Sequence, residues 1–285
     1  MVIAVYILIV LASTTQVATT KLFNRSCSHS AAFNALKSCT ALILFALMAV
    51  FNFTFHLPTL LFGVLYGTSL CLSMYSGYRA LCSGPMALTS MLVSFSVVIP
   101  LVWGVTVGNE EFKGFQYFAI ALLLLALVLI NADKLKNKKS EQKKNGFWLL
   151  FVGVTFACNG MCSVLQKQHQ TLYPEAYSRE FMFFAMLLCS VIFTLYMLGK
   201  ISVKEIKNIK GKRYGVLSGL ANGIANFLTL MLAGFENASV MFPIVSVGTI
   251  LASLLCGSVV FKEKLKANHY IALVLGSAAV VLLKM

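Results

Sequence analysis

The chain has 285 residues, of which 59% are hydrophobic and 11% are charged. That composition excludes an ordinary soluble protein, because such proteins carry about 25% charged residues. The formal net charge of +14 at pH 7 resides in short polar segments, a placement that favours contact with anionic lipid over nucleic-acid binding.

Apolar runs recur along the chain, each near the length of about 20 residues that crosses a bilayer. In chain order, the predicted spans are Val2–Thr20, Ala32–Phe51, Leu57–Tyr78, Pro85–Val107, Phe112–Asn131, Gly146–Val164, Phe181–Leu198, Gly215–Ala233, Phe242–Phe261 and Tyr270–Leu283. The polar stretches between these runs are too short to fold alone. The sequence therefore predicts an all-α integral membrane protein with ten transmembrane helices.

A short motif occurs once in each half of the chain. Gly63-Val64-Leu65-Tyr66-Gly67 returns 152 positions later as Gly215-Val216-Leu217-Ser218-Gly219. The pattern predicts one five-helix repeat over residues 1–132, a Lys-rich cytoplasmic linker over 133–145 and a second repeat over 146–285. A unit with an odd number of spans is inverted relative to its copy, and inverted repeats are typical of alternating-access transporters.

The basic residues predict how the chain is oriented. Nineteen Lys and Arg residues lie on or beside alternate connections, and four lie on the other side. Short loops rich in Lys and Arg stay cytoplasmic. We therefore expect a multi-pass membrane protein whose termini are both extracytoplasmic.

Three kinds of local motif carry a family resemblance. A basic residue closes the first helix of each half (Lys21 and Lys167), and Phe33-Asn34-Ala35-Leu36-Lys37 opens the second span. The fourth span of each half runs into an acidic turn, Gly108-Asn109-Glu110 and Phe261-Lys262-Glu263. With the five-plus-five plan, these features resemble the drug/metabolite transporter superfamily, in particular EamA-type bacterial permeases. The resemblance implies a transporter of a small organic solute with termini inside, whereas the charge distribution predicts termini outside.

The third span of the second half carries the clearest polar pattern. Its glycines at positions 215, 219 and 223 leave one face without side chains, so a neighbouring helix can approach closely. Ser218, Asn222 and Asn226 lie on an adjacent face at the same four-residue spacing. A carboxamide facing lipid costs several kcal/mol, so both Asn side chains must point inward. Hydrogen bonds between helices and the lining of a solute cavity are the two open interpretations.

Other polar side chains recur at helical spacing in further spans. Those selected as candidate substrate-binding residues are Ser73, Ser94, Thr249, Gln16 and Asn159. Hydroxyls in helices also bond to their own backbone, which is the alternative for the three hydroxyl residues. Lys37 and Lys167 lie near span ends, where each either holds an anionic group of a substrate or extends to the membrane surface.

No catalytic or cofactor motif is visible in the sequence. The four histidines lie at span ends without metal-ligand spacing, and there is no Walker-type loop. No Asp or Glu occupies the central turns of a span, which disfavours a proton-coupled pump of cationic drugs. We expect neither an enzyme nor a cofactor.

These patterns favour a secondary transporter, an exporter or exchanger of a small neutral or zwitterionic metabolite such as an amino acid. The alternatives are a non-transporting membrane protein, such as a lipid scramblase or a subunit of a larger assembly, or a nucleotide-sugar or drug carrier of the same fold. The expected partners are a small-molecule solute and the lipid bilayer, with no nucleic acid. Ten spans can close a pathway within one chain, so a functional monomer is expected.

Overall fold

The structure is a computed structural model that describes residues 2–26, 30–50, 53–83, 89, 92–93, 95–108, 110, 114–136, 147–201, 209–260, 262 and 267–284. Helices are the regular elements of these residues. In chain order, the α-helices are α1 (Val2–Ser26), α2 (Ser30–Ala49), α3 (Leu57–Ser83), α4 (Val98–Thr106), α5 (Gly114–Lys136), α6 (Trp148–Leu172), α7 (Ser178–Leu198), α8 (Lys212–Ala233), α9 (Ala238–Val259) and α10 (Ala267–Lys284). A 3₁₀ turn, Phe95–Val97, precedes α4.

Seven of these helices are long and apolar enough to cross a membrane: α1, α2, α3, α6, α7, α8 and α9. Shorter apolar stretches occur at Phe95–Thr106, Gly114–Ala126 and Tyr270–Leu283, within three of the ten predicted spans. Large aliphatic side chains remain exposed on the helices, for example Val259 at 78%. This all-helical architecture is compatible with an integral multi-pass membrane protein.

The chain divides into two compact units. The first unit consists of Met1–Cys71 and Leu165–Phe235, and the second consists of Leu72–Val164 and Glu236–Met285. Two of the three boundaries fall inside helices, one in α3 and one in α6, and the third lies between α8 and α9. Each unit therefore takes helices from both predicted repeats, and the repeat boundaries themselves stay a prediction.

In the first unit, α8 packs against α1, α2 and α7. The glycine stripe of α8 makes the contact with α2 possible. A Cβ atom added to Gly219 would lie 2.5 Å from the carbonyl oxygen of Lys37 and 2.7 Å from the Cβ of Thr40. The predicted close approach of a neighbouring helix is thereby confirmed.

In the second unit, α9 packs against α4, α5 and α10, and α10 also packs against α5. The carboxylate of Glu110 accepts hydrogen bonds from the first backbone N–H groups of α9, Ala238 at 2.6 Å and Ser239 at 2.9 Å. It also accepts one from the Ser239 hydroxyl. A negative charge at this position satisfies unpaired N–H groups and opposes the positive end of the helix dipole.

Two helices differ from the predicted spans in ways that matter for the site. The span predicted over Gly146–Val164 continues as α6 to Leu172, because Gln166, His169 and Gln170 are buried and find hydrogen-bond partners. The span predicted to begin at Phe242 begins instead at Ala238, where Glu110 caps it. Pro243 consequently lies inside α9, whereas the sequence placed it at the helix start.

Candidate functional site

A continuous set of hydrogen-bonded polar side chains runs through the first unit. At one end, the ammonium group of Lys37 donates to Gln16 Oε1 at 3.1 Å. Gln16 Nε2 in turn donates to Asn222 Oδ1 at 2.9 Å. These bonds connect α2 to α1 and α1 to α8.

The set continues from Asn222 toward α3 and α6. Asn226 Nδ2 donates to Asn222 Oδ1 at 3.1 Å and to the Asn222 carbonyl oxygen at 2.8 Å. The Tyr66 hydroxyl donates to Asn226 Oδ1 at 2.8 Å. Gln166 Nε2 donates to the Tyr66 hydroxyl oxygen at 3.4 Å. We call the set Lys37, Gln16, Asn222, Asn226, Tyr66 and Gln166 the polar chain; its six residues come from five helices.

Local structure explains why these side chains meet. Asn222 and Asn226 are one helical turn apart and so share a face of α8. The neighbouring glycine stripe lets α2 approach until the Lys37 backbone nearly touches Gly219. The extension of α6 beyond the predicted span carries Gln166 to Tyr66.

Lys37 is the only cation of the polar chain, and it is buried. Its side chain is 7% exposed, and among the described residues its hydrogen-bond partner is Gln16 and it forms no ion pair. An ammonium group has three donors, and burying its charge is costly unless partners are present. Its burial and its bond to Gln16 disfavour the interpretation in which Lys37 extends to the membrane surface. The polar chain thus offers a cation and several amide groups to a small polar molecule.

Ser218 lies one turn before Asn222 and is fully buried. Its hydroxyl has no hydrogen-bond partner in the described part of the chain, and neither does that of Thr14 on α1. Lys167, the other lysine with two interpretations, donates to the carbonyl oxygen of Ala233 at 3.1 Å. That carbonyl is one of the unpaired groups at the end of α8, so the bond stabilises a helix terminus.

The remaining predicted residues belong to the second unit or lie outside the described residues. Ser73 donates to Asn159 Oδ1 at 2.6 Å, so α3 and α6 bring these two together. Thr249 on α9 has a buried hydroxyl without a partner among the described residues. Ser94 lies outside the described residues. Of the predicted set, the structure therefore joins Gln16, Asn222 and Asn226 directly, and pairs Ser73 with Asn159.

Glu180 is a buried acid that sequence analysis missed. It occupies the first turn of α7 and is 3% exposed. The backbone N–H and hydroxyl of Thr54 both donate to its Oε1 at 3.3 Å. Its position could have indicated this role. Glu180 directly precedes the apolar run that begins at Phe181, and acidic residues are favoured in the first turn of a helix.

The groups of the polar chain can bind a polar solute. Within the described ranges, no group of three or more His, Cys, Asp or Glu side chains is arranged to hold a metal ion. Amide groups and an ammonium group orient polar solutes through hydrogen bonds and charge.

Comparison with known proteins shows the fold and no more. No family model and no curated protein matches this chain. Chains of solved structures do match, 28 of them. One, "Crystal structure of protein", has a TM-score of 0.79 and 12% sequence identity, and the match covers 98% of this chain and 94% of the other. At that identity the likeness concerns the fold alone.

Proposed function

We propose that this chain is a secondary transporter, an exporter or exchanger of a small neutral or zwitterionic metabolite such as an amino acid. The observation that carries the proposal is the polar chain, in which six side chains from five membrane-type helices form one hydrogen-bonded set. Isolated pairs of polar groups are sufficient to hold neighbouring helices together. A connected set that includes a buried cation is typical of a solute pathway.

The composition of the polar chain suits a solute that carries both donors and acceptors. The carboxamides of Gln16, Asn222, Asn226 and Gln166 can each donate and accept. The ammonium group of Lys37 adds a positive charge for a carboxylate. A transporter that opens alternately to the two sides would exchange some of the bonds within the polar chain for bonds to the solute.

The proposal also covers the number and arrangement of the membrane spans and the family to which the chain belongs. We propose ten spans arranged as two inverted five-helix repeats, as in the EamA-type permeases of the drug/metabolite transporter superfamily. The repeated Gly-rich motif and the acidic turns support this assignment. The resemblance to bacterial permeases supports a bacterial inner-membrane protein, and the distribution of Lys and Arg supports both termini outside. A functional monomer is the simplest arrangement.

Counterflow in proteoliposomes tests the proposal, with radiolabelled amino acids as the probe. The double variant Asn222→Ala/Asn226→Ala should lose at least about tenfold in counterflow rate, because it leaves Gln16 and Tyr66 without their amide partners. The matched control, Ser76→Ala/Thr155→Ala, removes a hydroxyl pair of the second unit whose members also bond to their own helices, and it should lose less than about threefold.

Melting temperatures confirm that both double variants are folded before the rates are compared. A fully active Asn222→Ala/Asn226→Ala protein would refute the role of the polar chain. If the wild type shows no saturable counterflow with any amino acid or related metabolite, the protein is not such a transporter and a non-transporting membrane role replaces the proposal.

A further inference from the structure

A cavity of about 520 Å³ lies in the first unit, between the connection that precedes α7 and the C-terminal part of α8. Its lining includes Tyr177, Arg179, Glu180, Phe227, Met231 and Phe235. Its volume is within the range of about 300–1,000 Å³ that small-molecule sites occupy. Phe227 directly follows Asn226, so the cavity is built on the same part of α8 as the polar chain.

Glu180 supplies a buried negative charge to this cavity. Thr54 donates to one oxygen of its carboxylate, and Glu180 forms no ion pair with the described residues. A carboxylate that is 3% exposed gains from a cationic partner, because its water has been removed. The cavity is the place from which such a partner can reach it.

Arg179 supplies the opposite charge to the same cavity. Its side chain is half-buried, and within the described part of the chain it has neither a hydrogen bond nor an ion pair. Although it is adjacent to Glu180 in sequence, the two side chains do not pair with each other. A guanidinium group presents a fork of donors that matches a carboxylate.

Part of the remaining lining is apolar, beside the polar residues Thr54, Gln170, Glu175 and Ser178. Phe227 and Met231 are four residues apart on α8, and Phe235 follows in the turn after that helix. Two aromatic rings and a thioether make a surface suited to an aliphatic or aromatic group.

The connection between α6 and α7 forms a fixed wall of the cavity. Tyr177 has a left-handed backbone conformation, with φ of 53°, and Glu175 has φ of 57°. The Tyr177 ring stacks on His56 with centroids 4.3 Å apart and an interplanar angle of 5°. Left-handed conformations of such residues are costly and persist where the surroundings impose them. The wall is therefore preorganised by contacts outside the cavity.

From this juxtaposition we propose that the cavity binds an α-amino acid with an apolar side chain. The carboxylate of Glu180 holds the α-ammonium group, the guanidinium of Arg179 holds the α-carboxylate, and Phe227, Met231 and Phe235 surround the side chain. The proposal rests on the proposed transport function, since it names the substrate class of that transporter and a site that receives it. A neutral sugar would leave Glu180 and Arg179 without charged partners, and a simple organic cation would leave Arg179 unpaired.

Three ligands and three variants separate the two charge contacts. The ligands are L-leucine, its methyl ester, which lacks the carboxylate, and 4-methylpentanoate, which lacks the ammonium group. The variants are Glu180→Gln, Arg179→Gln and, as a matched control on the same cavity, Glu175→Gln at an exposed position. Binding is measured by calorimetry on the full chain in lipid nanodiscs.

For Glu180→Gln we expect the dissociation constants of L-leucine and its methyl ester to rise at least about tenfold, with 4-methylpentanoate unchanged. For Arg179→Gln we expect the reverse selectivity: L-leucine and 4-methylpentanoate weaken by about tenfold, and the methyl ester is unchanged. Glu175→Gln should change each constant by less than about threefold, because its charge is exposed and screened.

The amide of Glu180→Gln can still accept hydrogen bonds from Thr54, so this variant should fold. If it does not fold, the binding of 4-methylpentanoate and of the methyl ester to Arg179→Gln tests the proposal alone.

The proposal is overturned if the wild type does not bind L-leucine, or if the variants weaken the binding of all three ligands equally. Counterflow by the same variants in proteoliposomes separates it from the proposed function. Binding with the expected pattern but no counterflow leaves the site and removes the transporter, whereas amino-acid counterflow that neither variant affects leaves the transporter and removes the site.

Discussion

The two units of the molecule treat their buried polar side chains differently. In the first unit, six of them form the polar chain, which begins at a buried lysine. In the second unit, the described contacts are short pairs, such as Ser73 with Asn159 and Ser76 with Thr155. Ser76 and Thr155 also bond to carbonyl oxygens of their own helices. Carboxamides, a tyrosine and a lysine therefore form a connected network in one unit, whereas mainly hydroxyl groups make local helix contacts in the other.

The difference shows which polar residues are needed for packing alone. A serine or threonine that bonds to its own helix loses little when its partner is removed, because the backbone satisfies it. A carboxamide or ammonium group has no such local substitute and depends on other helices. In the second unit, Glu110 shows a structural use of charge, because its carboxylate accepts hydrogen bonds from the start of α9.

The largest effect on stability is expected when a glycine of the first unit is replaced by alanine, and the same change in the second unit serves as its control. Gly219→Ala should destabilise the first unit by about 3 kcal/mol, because the new Cβ would overlap the backbone of α2. Gly153→Ala on α6 is the matched change in the second unit, where nothing lies within 4 Å of the added atom. It should be neutral or stabilise by up to about 1 kcal/mol, because alanine favours the helix. Thermal unfolding in detergent measures both, and equal losses would contradict the close contact of α8 with α2.

A smaller loss is expected when the cap of the second unit is removed. Glu110→Ala should cost about 2 kcal/mol, because two backbone N–H groups at the start of α9 lose their acceptor. Glu110→Gln keeps an acceptor and should cost less. Unfolding free energies measure the effect, and solute counterflow by the folded fraction should be unchanged. A change in solute selectivity would show that Glu110 acts in transport and not only as a cap.

The smallest effect on stability, but a clear one on activity, is expected at Lys37. Lys37→Met removes a buried charge while keeping a long apolar side chain, so the melting temperature should stay the same or rise. Counterflow should nevertheless fall about tenfold, which corresponds to about 1.4 kcal/mol, because the cation of the polar chain is lost. Lys200→Met, at an exposed position of the same unit, is the control and should change neither quantity. An active Lys37→Met protein would reduce the polar chain to a packing feature.

Sequence patterns predicted the local features of the candidate site well. The four-residue spacing placed Asn222 and Asn226 on one face of a helix, and the glycine stripe predicted the close approach that Gly219 makes. The C-terminal part of α6 was not predicted because its polar residues are typical of a loop in sequence. Their hydrogen-bond partners, some of which lie far away in the chain, keep them in the helix. Glu180 was missed for the same reason, since its burial depends on Thr54, far away in the chain.

By itself, the sequence determined that this is an all-helical protein of membrane type, where most of its helices lie, and that its carboxamides must turn away from lipid. These properties follow from hydropathy and helical period, which act over about 20 neighbouring residues. Only the tertiary structure decided which polar groups meet. Gln16 and Asn222 are 206 residues apart, and Tyr66 and Asn226 are 160 apart. Partners at such separations are set by how helices pack, and no local pattern specifies them.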